Sequence, residues 1–212
     1  SGNSSDVAFH IKDSASAVFA EVSSNHNALD GANSLEVSGG ELNIDGAAII
    51  QDIPGYSDAG SDYNIRDLAS NILDQTDVAL DPAVTNIFVT DPSVEAPIGV
   101  QLDKLEEDLG AVSYAATSDV SFSVNDSARD IADALIASGA SLENAEEVSV
   151  DGGVVSVSEA AQIQSIGNYS ASASDYSIED SSDAILAGGN YGVVVDSGVE
   201  QVNVTDTVSV AN

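Results

Sequence analysis

Carboxylates recur along this chain at fixed spacings, and carboxylates held that way can cap helices, bind a metal ion or run acid–base chemistry. An aromatic-x-aliphatic-x-Asp string opens at Phe9, Tyr63, Phe122 and Tyr176 and closes on Asp13, Asp67, Asp126 and Asp180, which lie 54, 59 and 54 positions apart. Each closing Asp stands where an alternating apolar pattern gives way to a helical one. The first expectation is therefore a helix N-cap, in which the carboxylate accepts a first-turn N–H and complements the helix dipole for about 1 kcal/mol per cap. A second recurrent set comprises Asp91 and Asp206, each after Val-Thr, and Asp62, Asp119 and Asp175, each just before a new unit. These read first as caps too. Strand-end and tail acids of adjacent units could also converge into the all-oxygen shell that Ca²⁺ prefers, which makes these five the candidate calcium ligands. The chain has no EF-hand loop of the form Asp-x-Asp-x-Asp-Gly…Glu.

Catalytic constellations are missing, so no catalytic residue and no enzymatic activity are expected. His10 and His26 are the only histidines, both fall in the first unit, and neither recurs; each reads as a solvated surface side chain. No HExxH motif, Gly-x-Ser-x-Gly elbow or phosphate-binding loop occurs. Glu106-Glu107 and Glu146-Glu147 lie within polar runs and read as solvated faces. Cysteine is absent, which removes disulfides, thiolate nucleophiles and thiolate zinc ligands together. Asn-x-Ser/Thr sequences begin at Asn3, Asn125, Asn168 and Asn203, a number that chance explains in a chain this rich in Ser and Asn.

The elements that must carry these acids repeat with them. After each closing Asp, apolar residues fall on one helical face: Ala15, Val18, Phe19 and Val22; Ala69, Ile72 and Leu73; Ala128, Ile131, Ala132 and Leu135; Ile185 and Leu186. An alternating strand then follows at Leu35-Glu-Val37, Ile87-Phe-Val89, Val148-Ser-Val150 and Val202-Asn-Val204. A further short strand is expected at Leu42-Asn-Ile44, Ile98-Gly-Val100, Val155-Ser-Val157 and Val208-Ser-Val210. A second, shorter helix is expected after it, with Asp45 and Ser158 as caps. The expected fold class is α/β, built from tandem repeats of 54–59 residues in the order strand, helix, strand, strand, helix, strand. Such units form either a solenoid or a row of small modules. The repeats should span residues 7–62, 63–119 and 120–175, with an incomplete fourth at 176–212. Its second helix would begin where the chain stops, so the array is expected to continue, covalently first and otherwise by end-to-end association of molecules.

Composition narrows the partners. The chain carries 36 Asp and Glu against four Lys and Arg, a formal net charge of -32. Such a surface repels nucleic acid and anionic membranes, both of which need basic contacts. It also repels itself, and salt or divalent cations offset that repulsion. A hydrophobic content of 43% is enough for a core despite the charge. No apolar run reaches the length of a membrane span, so no membrane insertion is expected. Acidity without cysteine favours an exported bacterial or archaeal protein.

The strings Phe122 to Ile131, Val202 to Asp206 and Val155 to Ala160 resemble repeats of giant secreted bacterial surface proteins, adhesin-like or surface-layer-like. Those repeats often accompany calcium-binding RTX segments and type I secretion. The RTX nonapeptide itself is not matched, since Gly39-Gly40 and Gly152-Gly153 lack its continuation. The resemblance implies an extracellular structural segment (spacer, stalk, coat or filament) whose partners are neighbouring repeats of the same or another chain. The alternative is a ligand-recognition module, for example one binding glycans, with the loop Asp91–Pro97 as the place for a ligand. The absence of Trp counts against sugar stacking.

Overall fold

Runs of alternating residues make the strands, and each run ends on an acid that turns the chain into a helix. In Asp62-Tyr-Asn-Ile-Arg-Asp67 the side chains of Tyr63 and Ile65 point inward and are buried, while Asn64 and Arg66 point outward. The computed structural model describes residues 9–24, 29, 31–138 and 141–206. The elements in chain order are β1 (His10–Asp13), α1 (Ala15–Ser23), β2 (Ser34–Leu42), α2 (Ile44–Gln51), β3 (Asp62–Asp67), α3 (Ala69–Asp74), α4 (Thr76–Ala79), β4 (Val84–Val89), α5 (Ala96–Val112) and β5 (Asp119–Ser121). They continue with β6 (Ser123–Asp126), α6 (Ala128–Ser138), β7 (Glu147–Val155), α7 (Val157–Gln164), β8 (Asp175–Asp180), α8 (Ser182–Leu186), α9 (Tyr191–Val194) and β9 (Val199–Val204). Single 3-10 turns at Asp58–Gly60 and Ala171–Ala173 precede β3 and β8.

The strands form two sheets, ordered β1-β2-β3-β4-β5 and β6-β7-β8-β9. Pairing is parallel, and partners lie about one strand–helix step apart, as in His10 with Ser34 and Ser123 with Glu147. Order in space therefore follows order in sequence within each sheet. Successive helices pack on one another, α1 on α2 and α2 on α4, then α6 on α7 and α7 on α9. Inward positions such as Leu35, Val37, Ile65 and Ile87, and likewise Val148, Val150 and Ile178, are fully buried. Many outward positions are polar: Lys12 pairs with Glu36 at 3.1 Å and Arg66 with Glu41 at 2.8 Å, and the Asn86 amide donates to Asn64 at 3.1 Å. The architecture is mixed α/β with parallel sheets.

Packing divides the chain into two units. One comprises Ser1–Thr90 with Leu105–Val120, the other Asp91–Lys104 with Ser121–Asn212. The divisions fall at 90/91, inside α5 at 104/105, and at 120/121, beside the repeat boundary expected near residue 119. In the first unit Leu105, Leu109 and Val120 are buried; in the second Leu102 is.

Three expectations are corrected. Leu35–Val37 and Leu42 are parts of one nine-residue strand, β2, as Val148–Val150 and Val155 are parts of β7. A register shift separates the halves at Gly39-Gly40 and at Gly152-Gly153. Both pairs adopt φ between +70° and +101°, a region only glycine enters cheaply. At Gly153 a Cβ would stand 3.2 Å from the Ala128 amide nitrogen, because the bulge lies over the start of α6. Secondly, Ile98-Gly-Val100 lies in the first turns of α5, where Pro97 is tolerated because its missing N–H would have no helical partner. Thirdly, the caps of the second helices are Asn43 and Ser156, not Asp45 and Ser158. Ser156 and Glu159 form a reciprocal capping box. The expected strand at Val208–Val210 lies outside the described residues.

Candidate functional site

The acids closing the strands form the most regular polar arrangement among the described residues. Asp13, Asp67, Asp126 and Asp180 are not the N-cap residues. That position falls one residue later, at Ser14, Leu68 and Ser181, and at Ser127, whose Oγ accepts from the Asp130 N–H. The Asp is still the last residue of the strand, and its Oδ1 accepts the N–H of the residue that follows: Ser14 at 2.7 Å, Leu68 at 2.8 Å, Ser127 at 2.7 Å and Ser181 at 2.8 Å.

The second oxygen reaches the preceding strand–helix step. Oδ2 of Asp67 accepts the N–H of Ile44, the first residue of α2, at 3.0 Å. Asp126 accepts from Ala96 at the start of α5 at 2.9 Å, and Asp180 from Val157 at the start of α7 at 3.2 Å. One carboxylate therefore ties the beginnings of two successive helices, each of which has first-turn N–H groups without helical partners. Burial pushes the Asp67 carboxyl up, but hydrogen bonds from Asn71, Ile44 and Leu68 outweigh it and hold the group below its ordinary value. Asp67→Ala and Asp180→Ala should each cost about 1–3 kcal/mol in urea denaturation, and the Asn variants less, because one acceptor remains. Wild-type stability in both Ala variants would remove the tie.

The calcium candidates do not assemble. Asp62 accepts the Gly39 N–H and Asp175 the Gly152 N–H, each holding the glycine bulge of the neighbouring strand. Asp206 accepts the Ser182 N–H at 2.7 Å and its hydroxyl at 2.8 Å, repeating the helix-start tie one step on; these bonds hold its carboxyl below its ordinary value. Asp91 is half-buried in the bend after β4, and Asp119 is exposed at the start of β5. Among the described residues no three His, Asp or Glu side chains converge as a metal ion would need.

A paired tyrosine arrangement escaped the sequence reading. The Gln51 amide donates to the Tyr63 hydroxyl at 2.7 Å and to the Val78 carbonyl at 3.0 Å; Gln164 donates to Tyr176 and Val193 at the same two distances. The Tyr56 hydroxyl donates to Asp81 at 3.0 Å, and Tyr169 to Asp196 at 2.9 Å. The signal available in the sequence was the recurrence of Gln twelve residues before a motif tyrosine. Burial raises all four phenols, Tyr63 to about 12, and burial also raises the Asp81 carboxyl. A phenol whose pKa is higher folded than unfolded contributes stability that is complete below its unfolded value near 10 and is lost as pH rises through the folded value. Stability should therefore fall between about pH 10 and 12, by roughly 3 kcal/mol from Tyr63 alone, and Tyr63→Phe should flatten that fall. An unchanged alkaline limb in Tyr63→Phe would contradict the assignment.

The remaining polar features hold structure. Asp103, buried in α5, accepts the Asn144 N–H at 3.0 Å and so fixes the turn before β7. His10 is exposed and hydrogen-bonds Ser34 on the neighbouring strand. A cleft of about 360 Å³ is lined by Pro97, Val100, Asp130, Asp133, Ala134 and Ala137, but Asp130 is bonded to Ser127 and Asp133 to Arg129. The loop singled out for ligand binding is pinned at its centre: Val94 donates to the Ser123 carbonyl at 2.9 Å and accepts from the Asn125 N–H at 3.0 Å. No helix among the described residues is long and apolar enough to cross a membrane.

No protein-family model and no curated protein matches the chain. Among solved structures, a glycosyl hydrolase family 2 member from Bacteroides cellulosilyticus is 11% identical, over 93% of this chain and 27% of that chain, with a TM-score of 0.23. The chain thus spans about a quarter of that protein's length, and a likeness at this score carries no argument.

Proposed function

We propose that this chain is a structural repeat segment of an extracellular bacterial surface protein: a tandem series of strand–helix coils serving as spacer, stalk or coat, without enzymatic activity. The observation that carries this reading is the return of the same contacts 113 residues on. Gln51–Tyr63 returns as Gln164–Tyr176, Asp62–Gly39 as Asp175–Gly152, Asp67–Ile44 as Asp180–Val157, and the Ser61 hydroxyl that accepts the Val37 N–H as that of Ser174 beneath Val150. A domain evolved around a single site has no reason to build its hydrogen bonds twice.

The sheet order supports the same conclusion. Doubly wound α/β folds bind ligands where the strand order reverses, because flanking helices diverge there and open a crevice. Here each sheet runs in sequence order, so that kind of crevice does not arise. Parallel sheets with a polar outer face are unusual for ordinary α/β domains, whose helices cover both faces, and are natural for coils that bury only against their neighbours. The outward carboxylates are screened by salt, and calcium acts as a member of that counterion cloud rather than in a cage.

An antiserum against the chain, applied to intact and to permeabilised source cells, tests the proposal. Labelling of intact cells is expected. Labelling only after permeabilisation would overturn the extracellular assignment.

A further inference from the structure

We infer that a cleft of about 230 Å³ beside the start of β4 binds one pyranose ring of an uncharged saccharide, with Tyr114 as the stacking face and Asp62 and Thr85 as hydroxyl partners. This goes beyond the structural role proposed above and does not depend on it. β3 and β4 pair in parallel with Tyr63 beside Val84, so Asp62 and Thr85 reach the cleft from neighbouring strands. Pro82, Ala83 and Ala115 supply apolar lining, and every one of these residues belongs to the first packing unit.

Tyr114 is held in place without being buried. α5 ends at Val112, and the residues after it are fastened to the start of β4. The Ser113 hydroxyl donates to the Val84 carbonyl at 2.8 Å, and the Tyr114 N–H donates to the Pro82 carbonyl at 2.9 Å. The Ala115 N–H in turn donates to the Ser113 hydroxyl at 3.2 Å. Tyr114 nevertheless stays 62% exposed. Tyr56, Tyr63, Tyr169 and Tyr176 all bond through their hydroxyls, whereas the Tyr114 hydroxyl has no partner among the described residues. A fixed ring presented to solvent adds little to a core, and it loses little freedom when a ligand packs on it.

The polar groups of the cleft have capacity left over. Asp62 uses Oδ1 for the Gly39 N–H, while its Oδ2 and the Thr85 hydroxyl have no partner among the described residues. A carboxylate oxygen accepts a sugar hydroxyl in a charge-assisted bond, a threonine hydroxyl donates or accepts, and the C–H face of a pyranose packs on an aromatic ring. The recurrence does not account for this set. Asp81 accepts the Ala83 N–H before β4 as Asp196 accepts the Gly198 N–H before β9, which aligns Thr85 with Glu200 and Pro82 with Ser197. The structure-building acid recurs and the lining does not. The volume lies below the roughly 300–1,000 Å³ of sites for drug-sized ligands, so it suits a single ring. A net charge of -32 repels acidic sugars, which leaves the uncharged ones.

Amide NMR shifts of the 212-residue chain, titrated separately with glucose, galactose, mannose, N-acetylglucosamine and glucuronate, test this. At least one of the four uncharged sugars should move the amides of Ala83, Thr85, Tyr114 and Ala115 saturably. The Kd should be on the order of millimolar, the range for about a dozen heavy atoms at ordinary efficiency. Glucuronate should bind more weakly. Tyr114→Ala should weaken binding about tenfold and Thr85→Val several-fold, while Tyr114→Phe keeps the ring and stays near wild type, all three with unchanged circular dichroism. No saturable shift with any of the four, shifts confined to other residues, glucuronate binding as tightly, or Tyr114→Ala binding like wild type would each overturn the inference. Those failures leave the internal 113-residue recurrence and the structural role intact, because neither involves Tyr114.

Discussion

Ile65→Ala and Ile178→Ala should each destabilise the fold by about 2–5 kcal/mol, the range for emptying a fully buried aliphatic position. The two losses should agree within about 0.5 kcal/mol, and in the double variant they should add. Both side chains are 0% exposed, at the same place in the strands Asp62–Asp67 and Asp175–Asp180, with identical burial along each strand. Each strand lies between a bulged nine-residue strand and a six-residue one. The informative outcome is the comparison rather than either value. Urea denaturation reads it, and losses that differ by several kcal/mol would mean that the two positions are alike in sequence but not in environment.

Raising NaCl from a few millimolar to about 1 M should raise the melting temperature by roughly 10 °C, because the screening length shrinks from tens of ångströms to about 3 Å. Lys12, Arg66 and Arg129 are already paired with acids, and Arg66 also stacks on Phe88 at 4.7 Å, so the internal cations leave most of the negative charge uncompensated. Calcium should stabilise more than sodium at low ionic strength. On the proposed reading, in which calcium acts only within the counterion cloud, EDTA added in high NaCl should change nothing. The pH profile has two limbs. Acidification towards pH 5 should stabilise through falling net charge. The raised pKa of Asp81 acts in the same direction: its contribution is complete below the unfolded value and is lost as pH rises through the folded one. Asp67 and Glu159 have the opposite sign. Their carboxyls sit below the ordinary range, so what they contribute is present above the unfolded value near 4 and is lost as pH falls through the folded one. A melting temperature indifferent to NaCl, or one that falls steadily from pH 8 to 5, would remove charge repulsion as the governing term.

The helices beginning at Ala15, Ala69, Ala128 and Ser182 were legible because a closing acid and a helical apolar register coincide there. The strands around Ile65, Ile87, Val148 and Ile178 were legible from alternation alone. What the sequence hid has local physical causes. Gly39-Gly40 looks like a turn between two strands, yet in the parallel sheet it is a bulge that lets one strand pass over the start of α1, with Gly40 against Ala15. Ile98-Gly-Val100 alternates like a strand, but Pro97 and the Ala96–Asp126 bond start a helix there. The acids were found, but their second oxygen, which joins one helix start to the next, depends on strand register that no local pattern reports. The Tyr–Gln and Tyr–Asp pairs likewise join residues from different strand–helix steps. Asp62, Asp175 and Asp206 recur for the same reason as the caps: each satisfies backbone N–H groups at a bulge or a helix start.

Inserting a second copy of Tyr63–Asp175 directly after Asp175 tests the tandem array most directly, because it adds one 113-residue period and creates only junctions the chain already contains. If the chain is a series of coils that pack on their neighbours, the longer protein folds with unchanged circular dichroism per residue. Its calorimetric unfolding enthalpy should rise in proportion to length, by about half. An insert that stays unfolded or aggregates, leaving the enthalpy of the original chain, would contradict the account.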